Sequence, residues 1–342
     1  MINGFGDIDT EVLNGMIREV NAASPLYKPS NIWAKLTQAH VDQVAQIGIA
    51  DFKRSLNTFY GYDIAQSVEI FLLPAIRKLV GDNPREAIEE SREQSDASAH
   101  YLALLWDYCS SLAPDIAAKL AEPPLGNPFG IRYGGKFVSQ DLAKSIREFA
   151  IIRSHADANF LAARNFKVVE IGAGHGRLAH LFAEVLDDIA YHIFDLPPAL
   201  LIAQEYLAAL HGRAAISPFQ EGRFTAEEFR ARTAGKRFAF FTPNQIEYAP
   251  DGAFDLAINV DSFGEMQEAS ARNYTAHLAR ITKKNGGHIY YRNLLATSVS
   301  RHAGENWAPA AFDLYHPSCE WRLKLHQAYP LHPAYFEAVF AL

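Results

Sequence analysis

The sequence of 342 residues predicts an α/β protein in which a mostly parallel sheet follows a helical region. From residue 167 onward, short apolar runs rich in β-branched and aromatic residues alternate with helical patterns, as in parallel sheets. Residues 1–125 show helical periodicity and no run that alternates like a strand. Between the two regions, EPPLGNPFG (122–130) holds three prolines and two glycines, which excludes regular structure there. We therefore expect an all-α domain at 1–125 and an α/β domain at 126–342.

The first region is predicted to be helical because apolar residues recur every three or four positions. Asp9 or Thr10 is a suitable N-cap for the first helix, and Ser30 precedes the second. After the boundary, a helix that starts at Ser139 runs to about residue 160 and leads into the sheet. The helices predicted before the boundary cover 9–20, 30–47, 64–80, 84–95 and 97–112.

The second region contains five runs that suit buried parallel strands, followed by two runs that suit a closing antiparallel pair. Each of the first four runs is followed by a segment long enough for a crossover connection. The predicted strands cover 167–171, 191–195, 237–242, 254–260, 287–292, 321–329 and 335–342.

Composition and charge narrow the function classes. Apolar residues make up 49% of the sequence, the formal net charge is −7, and no Lys/Arg run occurs, which argues against nucleic acid and anionic membranes as partners. No apolar run approaches the length of a membrane span and the N-terminus lacks a signal-peptide pattern, so we expect a cytoplasmic protein. The 13 histidines include no HxxxH or HxH pair, and the two cysteines are isolated, so the sequence offers no local histidine or cysteine site for a metal.

The segment KVVEIGAGHGRLAHLF (167–182) reads as strand, glycine turn and helix. A dinucleotide fingerprint would place its third glycine at position 177, which is Arg177 here. Glu170 precedes the turn, and a carboxylate there suits a cationic ligand better than a pyrophosphate. S-adenosylmethionine has an ammonium and a sulfonium and no phosphate, so the turn is predicted to bind it; a purely structural turn is the alternative. The predicted cofactor contacts are Glu170, Gly172, Ala173, Gly174 and Gly176.

The E-x-G-x-G-x-G pattern resembles motif I of the class I methyltransferases. Three further stretches, FDLPPALLIAQEYL (194–207), FFTPNQIE (240–247) and FDLAINVDSFGEM (254–266), together with GNPFGIRYGGKFVSQDL (126–142), resemble a bacterial family of sugar O-methyltransferases. The resemblance covers most of the chain, whereas segment 209–236 matches no pattern. It implies a Rossmann-like, seven-stranded class I methyltransferase sheet. It also implies that S-adenosylmethionine methylates a hydroxyl of a sugar or glycosylated metabolite and leaves S-adenosylhomocysteine.

More cofactor contacts are predicted where later strands end. Asp195 ends the second strand, where its carboxylate could accept both ribose hydroxyls, with Leu196 beside it; capping the following helix is the alternative. Asn244 and Gln245 could offer the adenine edge a donor and an acceptor. The side chains expected beneath the transferable methyl group, at the end of the fourth strand, are Asn259, Asp261 and Ser262.

A hydroxyl is a poor nucleophile unless a base takes its proton or a metal lowers its pKa. Asp261 and Glu265 are four residues apart, so on a helical turn they share a face near the methyl group. Either could be the base, with the charge of Asp261 raising the pKa of Glu265, or both could hold Mg²⁺. Glu265 could instead face solvent or pair with Arg292. Segment 296–318 reads as a long loop in which His302 or His316 is an alternative base.

Three rival functions remain from sequence alone. The acceptor could be an amine or a phenol of specialised metabolism, or the protein could bind S-adenosylmethionine without catalysis. A nicotinamide dehydrogenase is disfavoured by Arg177. We expect a small-molecule acceptor as the partner, and the sequence leaves both a monomer and a homodimer open. Residues 1–125 are predicted to cover the carboxyl edge of the sheet and to contact the acceptor, because the reaction needs a dry site.

Overall fold

A computed structural model of the protein describes residues 8–55, 72–81, 88–93, 95–156, 164–294, 296–297, 308–309, 314–316, 320–332 and 334–342. The α-helices in these ranges are α1 (Thr10–Ala22), α2 (Asn31–Ile47), α3 (Phe52–Ser55), α4 (Leu73–Val80), α5 (Asp96–Leu112), α6 (Pro114–Ala117), α7 (Gln140–His155), α8 (Arg177–Val185), α9 (Ala199–His211), α10 (Ala226–Thr233) and α11 (Glu268–Ile281). Short 3₁₀ helices lie at Pro25–Tyr27, Arg213–Ala215, Pro243–Tyr248 and Phe263–Glu265.

The strands form one large sheet and two small ones. They are β1 (Ile88–Ser91), β2 (Ile131–Tyr133), β3 (Lys136–Val138), β4 (Phe166–Ile171), β5 (Ile189–Phe194), β6 (Ile216–Ser217), β7 (Phe238–Phe241), β8 (Leu256–Val260), β9 (His288–Leu294), β10 (Ala296–Thr297), β11 (Ala308–Pro309), β12 (Arg322–Ala328) and β13 (Tyr335–Ala341).

The large sheet has the strand order β12-β13-β9-β8-β4-β5-β7-β6. Neighbouring strands from β9 to β6 are parallel, whereas β13 runs antiparallel to both β9 and β12. Seven of these strands are the predicted ones, and β6 adds two residues at the edge. The sheet has the Rossmann-like, mostly parallel arrangement that was predicted for the second region.

The carboxyl ends of β4, β5 and β8 meet in the middle of this sheet. Helices α8 and α9 follow β4 and β5 and pack through apolar faces that include Leu178, Phe182 and Leu207, all buried. Helix α7 is tied to β13 by a buried ion pair, in which Arg147 Nη1 donates to Glu337 Oε2 at 2.7 Å. The glycine turn after β4 therefore lies among helices that are packed firmly against the sheet.

The N-caps at Asp9, Ser30 and Ser139 are observed as predicted. Asp9 accepts hydrogen bonds from the amides of residues 11 and 12. Ser139 Oγ accepts from the amide of Leu142 at 3.0 Å and thereby starts α7. A cap satisfies an amide that has no partner within the helix, so these residue types mark where each helix begins.

The first region is not all-α, which corrects the sequence prediction. Residues 88–91 form β1, within the helix predicted at 84–95, and β1 pairs antiparallel with β2 of the hairpin β2–β3. The pairing partner lies about forty residues further along the chain, so local periodicity could not indicate it. The predicted division between 125 and 126 falls between these paired strands and stays a prediction.

Other boundaries also differ from the expectation. Helix α7 ends at His155, where the amide of Ala156 bonds to the carbonyl of Ile152, rather than near residue 160. Of the helix predicted at 64–80, the described part is α4, and residues 56–71 lie outside the described ranges. Within the described part of the chain, no helix is both long and apolar enough to cross a membrane.

Candidate functional site

A cavity of about 310 Å³ lies at the carboxyl ends of β4, β5 and β8. The loops that follow these strands form its floor, and residues from the N-terminal helical region form the opposite wall. Open α/β sheets bind their ligands at this edge, so the position alone indicates a ligand site. The wall residues from the helical region include Tyr27, Trp33, Thr37 and His40.

The glycine turn brings the backbone close to the cavity and to the neighbouring strand end. Gly172, Gly174 and Gly176 have φ angles of 75°, 60° and 81°, in the left-handed region that favours glycine. A Cβ atom on Gly172 would lie 2.5 Å from Cβ and Oγ of Ser262, which is too close for any side chain. Gly172, Ala173 and Gly174 line the cavity, whereas Gly176 starts α8 just behind it.

Arg177 occupies the position where a dinucleotide fingerprint would have its third glycine. Its guanidinium donates to both oxygens of the buried Glu148, at 2.7 and 3.0 Å, and to Ser145 Oγ at 2.7 Å. Glu148 in turn pairs with Arg292 Nη1 at 2.6 Å. Arg177 therefore anchors the start of α8 to α7, which explains why a large side chain stands there.

Glu170, which is buried, and Asp195, which is half-buried, are two carboxylates that line the cavity. Glu170 Oε2 accepts from the Tyr191 hydroxyl at 2.7 Å. Asp195 accepts from the amides of Gly174 at 2.8 Å and Leu196 at 2.7 Å. Burial raises the pKa of each carboxyl to about 7. Neither forms an ion pair with any residue in the described ranges, so a cationic ligand at this end of the cavity would favour the ionised form of both carboxyls.

Asp195 does not cap α9. The N-cap of that helix is Pro198, and no side chain bonds to its first turn. The Asp195 side chain instead holds the two loops after β4 and β5 together and lies beside Leu196, which also lines the cavity. Of the two roles open from sequence, ligand contact is the one that this geometry favours.

The adenine contacts predicted for Asn244 and Gln245 need correction. The Gln245 side chain is fully buried, donates to the carbonyls of Gln220 at 2.9 Å and Gly222 at 3.1 Å, and accepts from the amide of Thr242. Asn244 Nδ2 donates to Glu19 Oε1 at 2.8 Å. Neither lines the cavity, because the 3₁₀ turn that begins at Pro243 directs both amides towards segment 220–222 and α1. Pro243 itself does line it.

Asn259 also lies behind the cavity rather than in it. Its Nδ2 donates to the carbonyl of Ile171 at 2.8 Å, and its Oδ1 accepts from Asn293 Nδ2 at 2.8 Å. Asn293 Oδ1 then accepts from the amides of Phe263 and Gly264 at 3.1 and 3.2 Å. The two asparagines join the ends of β4, β8 and β9 and position the loop after β8. Ser262, which was predicted with Asn259, does line the cavity.

Asp261 lines the cavity but is committed to an ion pair. Its φ of 66° is unusual for a residue other than glycine. Oδ1 accepts from Arg292 Nε at 3.1 Å, and Oδ2 pairs with Arg292 Nη2. Arg292 therefore offsets the charge of Asp261 that was predicted to act on Glu265. The alternative pairing of Glu265 with Arg292 is not formed.

Glu265 lines the cavity on the side of β8 and contacts the helical region. Its Oε2 accepts from Trp33 Nε1 of α2 at 2.8 Å. With Asp261 bound to Arg292 and Glu265 bound to Trp33, the two carboxylates do not form the donor set that Mg²⁺ requires. The predicted magnesium site therefore does not fit this structure.

Several wall residues were not singled out from sequence. Trp33, Thr37 and His40 are spaced by four and three positions, which places them on one face of α2. Burial lowers the pKa of His40, so its imidazole is neutral at physiological pH. On the other side, His175 Nε2 lies 3.6 Å from Asp141 Oδ2, and both line the cavity. The helical periodicity of α2 was visible in the sequence, but which of its faces meets the sheet was not.

The two alternative bases are not placed at the cavity. His302 lies outside the described residues. His316 packs on Phe340, with ring centroids 5.1 Å apart, and does not line the cavity.

No protein-family model matches this sequence, and no curated protein is similar to it. Solved structures that resemble the chain include the PH0226 protein from Pyrococcus horikoshii OT3, at 12% identity over 59% of this chain and 92% of that one, with a TM-score of 0.39. A SAM dependent methyltransferase from Aquifex aeolicus is 13% identical over 59% and 98%, with a TM-score of 0.33. A geranyl diphosphate methyltransferase, solved with GPP and sinefungin, is 8% identical over 60% and 84%, with a TM-score of 0.38.

Proposed function

We propose that the protein is an S-adenosylmethionine-dependent methyltransferase. The observation that carries the proposal is the pair Glu170 and Asp195: two cavity-lining carboxyls, one before the glycine turn and one bound to its backbone, without an ion-pair partner in the described structure. A pyrophosphate would be repelled by these carboxylates, whereas a ligand with an ammonium, a sulfonium and ribose hydroxyls would satisfy them. Arg177 also lines the cavity, but its guanidinium is already bound to Glu148 and Ser145.

The cofactor is proposed to lie across the turn, from Glu170 to the loop after β8. Asp195 would accept the ribose hydroxyls while Gly174 holds its carboxylate in place. The backbone at Gly172, Ala173 and Gly174 would allow close approach of the methionine part. Bound S-adenosylmethionine supplies a methyl group on a sulfonium, and methyl transfer to an acceptor oxygen leaves S-adenosylhomocysteine.

The acceptor is proposed to be a sugar or a glycosylated metabolite. The cavity wall combines aromatic side chains, Tyr27 and Trp33, with the carboxylates of Glu265 and Asp141. Aromatic rings pack against the apolar faces of sugar rings, and carboxylates accept hydrogen bonds from their hydroxyls. The same aromatic wall supports a second candidate, a phenol acceptor.

Glu265 is the proposed general base. Asp261 pairs with Arg292 and serves to position the loop, which leaves Glu265 as the carboxylate on the β8 side of the cavity. The Trp33 indole fixes its orientation through the bond to Oε2. Glu265 would take the hydroxyl proton as the oxygen attacks the methyl carbon in line with the departing sulfur. His40, on the same wall, is the alternative base.

The test has two stages. Calorimetric titration of the full chain should show binding of S-adenosylmethionine and S-adenosylhomocysteine and none of NAD⁺. Release of S-adenosylhomocysteine is then measured with pooled sugars, pooled phenols and pooled amines, with mass spectrometry of the products. Turnover on sugars supports the proposal, and turnover on phenols or amines replaces the acceptor. Binding without turnover on any pool would favour a non-catalytic S-adenosylmethionine-binding protein, and NAD⁺ binding alone would exclude a methyltransferase.

A further inference from the structure

Three potential metal ligands meet outside the cavity, between the helices that follow β4 and β5. His180 and Glu184 lie one turn apart on α8, and His211 is the last residue of α9. His180 Nδ1 is 3.0 Å from His211 Nε2, and Glu184 Oε1 is 3.9 Å from His211 Nδ1. One ligand atom from each residue lies within 4.8 Å of the other two. The cluster crosses two helices, so no local spacing in the sequence indicates it.

We propose that His180, Glu184 and His211 bind a divalent first-row transition metal ion, with zinc as the best fit. The ligands would be His180 Nδ1, His211 Nε2 and a Glu184 carboxylate oxygen, with water in the fourth position. Two imidazoles and a carboxylate form a donor set that suits zinc, nickel or copper and does not suit magnesium or calcium. This site is independent of the function proposed for the cavity.

The distance between the two ring nitrogens is close to the distance that such a site needs. Two nitrogens bound to one tetrahedral zinc ion lie about 3.3 Å apart, because each Zn–N bond is about 2.0 Å long. The observed separation of 3.0 Å between the two ring nitrogens requires them to move apart by only a few tenths of an ångström. Without a metal, one of the two rings would donate a hydrogen bond to the other.

Burial and packing also favour the site. Burial lowers the pKa of His180 to about 3 and that of His211 to about 4, so both imidazoles are neutral. His180 packs edge-on against Tyr206, and His211 packs against Phe238 with ring centroids 4.9 Å apart. Glu184 is 44% exposed, so its side chain can swing onto a metal ion that enters from solvent.

The nearby cations are directed at other partners. Arg237 Nη2 donates to the carbonyls of Ala183 and Leu186. Lys53 Nζ pairs with Glu122 at 2.5 Å. The carboxylate of Glu184 would offset part of the positive charge that a metal ion brings close to these cations.

The position of the site gives it a consequence for the rest of the molecule. Helix α8 begins in the glycine turn, and α9 follows the loop that holds Asp195. A metal ion that joins α8 to the end of α9 would fix the two helices whose first turns border the cavity. Metal binding to the folded state should therefore raise the melting temperature of the protein.

The test is a titration of the full chain, without a histidine tag and stripped with a chelator, with zinc chloride. We expect saturable binding of one Zn²⁺ per chain by calorimetry, and visible absorption bands when Co²⁺ is used instead. Glu184→Gln should weaken Zn²⁺ binding by on the order of tenfold to hundredfold, and His211→Ala should abolish it. His155→Ala, which removes a histidine on α7, is the matched control and should change nothing.

Glu184→Gln is included because the Glu184 side chain is 44% exposed, so this variant should fold even if a variant of one of the two histidines does not. Circular dichroism checks the fold of each variant. No saturable Zn²⁺ binding to the wild type would overturn the proposal. Binding that Glu184→Gln leaves unchanged, or that His155→Ala weakens equally, would also overturn it.

Discussion

At the β4–β5 end of the cavity, Glu170 and Asp195 are held by a tyrosine hydroxyl and by backbone amides, with no ion-pair partner in the described part of the chain. At the β8 end, Asp261 is paired with Arg292, and Glu265 accepts from the indole of Trp33. The four carboxylates therefore fall into two classes. Glu170 and Asp195 can still form an ion pair with a ligand, whereas Asp261 and Glu265 are already bound by charged or polar side chains of the protein.

This difference indicates a division of labour. Carboxyls without an ion-pair partner bind a cationic ligand tightly, because the charge of the ligand stabilises the ionised form that burial disfavours. Carboxylates oriented by neighbouring side chains keep a fixed geometry and can act on a second molecule. We therefore propose that the first end binds the cofactor and the second binds the acceptor. Substitutions at the two ends should therefore separate cofactor binding from turnover.

The largest effect is expected at the cofactor end, from Gly174→Val. Gly174 has a φ of 60°, which a β-branched residue tolerates poorly, and its backbone lines the cavity and holds Asp195. The variant should lose S-adenosylmethionine binding in calorimetry. Gly235→Val is the control, since Gly235 has a similar φ of 66° and open space around it. Unchanged cofactor affinity in Gly174→Val would place the methionine moiety elsewhere.

The next largest effect is expected at the acceptor end, from Glu265→Gln. The amide keeps the shape but cannot take the proton, so kcat should fall by about two to four orders of magnitude, the usual share of general base catalysis. Cofactor affinity should barely change. Glu268→Gln is the control, because Glu268 is exposed and pairs with Arg272 on the surface. If single-turnover methylation is unaffected in Glu265→Gln, His40→Gln is the variant that should slow it.

A third prediction concerns pH and acts on the cofactor end. Burial raises the pKa of Glu170 and Asp195 to about 7, and a cationic ligand favours their ionised forms. S-adenosylmethionine affinity should therefore fall below pH 7, by roughly tenfold per pH unit for each carboxyl that must ionise. Calorimetry over pH values on both sides of 7 measures the slope. Asp195→Asn should lower this slope by the contribution of one carboxyl. An unchanged slope would show that Asp195 does not ionise when the cofactor binds.

The same raised pKa values determine whether the free energy of unfolding rises or falls with pH. A carboxyl that is protonated more readily in the folded state contributes stability at low pH, which is lost as pH rises from its ordinary range towards 7. Without cofactor, the unfolding free energy attributable to these two groups should fall across that window. Saturating S-adenosylmethionine should reverse the trend, because it binds the ionised carboxylates. A melting temperature that is independent of both pH and cofactor would contradict the assignment.

The β4–β5 end of the cavity could be predicted from the sequence more fully than the β8 end. Strand β4, the turn at Gly172–Gly176 and α8 are consecutive in the chain, so local periodicity and glycine spacing predicted them together. Trp33 and Glu265 are 232 positions apart, and His180 and His211 are 31 apart, so only the folded chain brings each pair together. Pairing of β1 with β2 escaped prediction for the same reason.

The direction of a side chain was a second source of error. Gln245 and Asn259 are polar residues at strand ends, where the sequence predicted ligand contacts. In the structure both point inward and satisfy backbone groups of neighbouring loops. A loop of irregular conformation has no fixed period, so its sequence does not specify which side chains face the cavity. Glu170, Asp195 and Ser262 do face the cavity and keep their predicted contacts as proposals.

The smallest effect is expected from Trp33→Phe, which tests whether the helical region orients the proposed base. The substitution removes the 2.8 Å bond from Nε1 to Glu265 Oε2 and keeps an aromatic ring at the cavity wall. A hydrogen bond to a charged group contributes about 1.5–3 kcal/mol when buried, and Trp33 is only half-buried, so we expect kcat/KM for the acceptor to fall by about three- to tenfold. Cofactor affinity measured on the same sample is the internal control and should stay constant. A loss confined to kcat would mean that the indole orients Glu265 for proton transfer, whereas a loss confined to KM would mean that it contacts the acceptor directly. An equal loss of cofactor affinity would show that α2 contacts the cofactor. It would contradict the proposal that the two ends of the cavity bind different molecules.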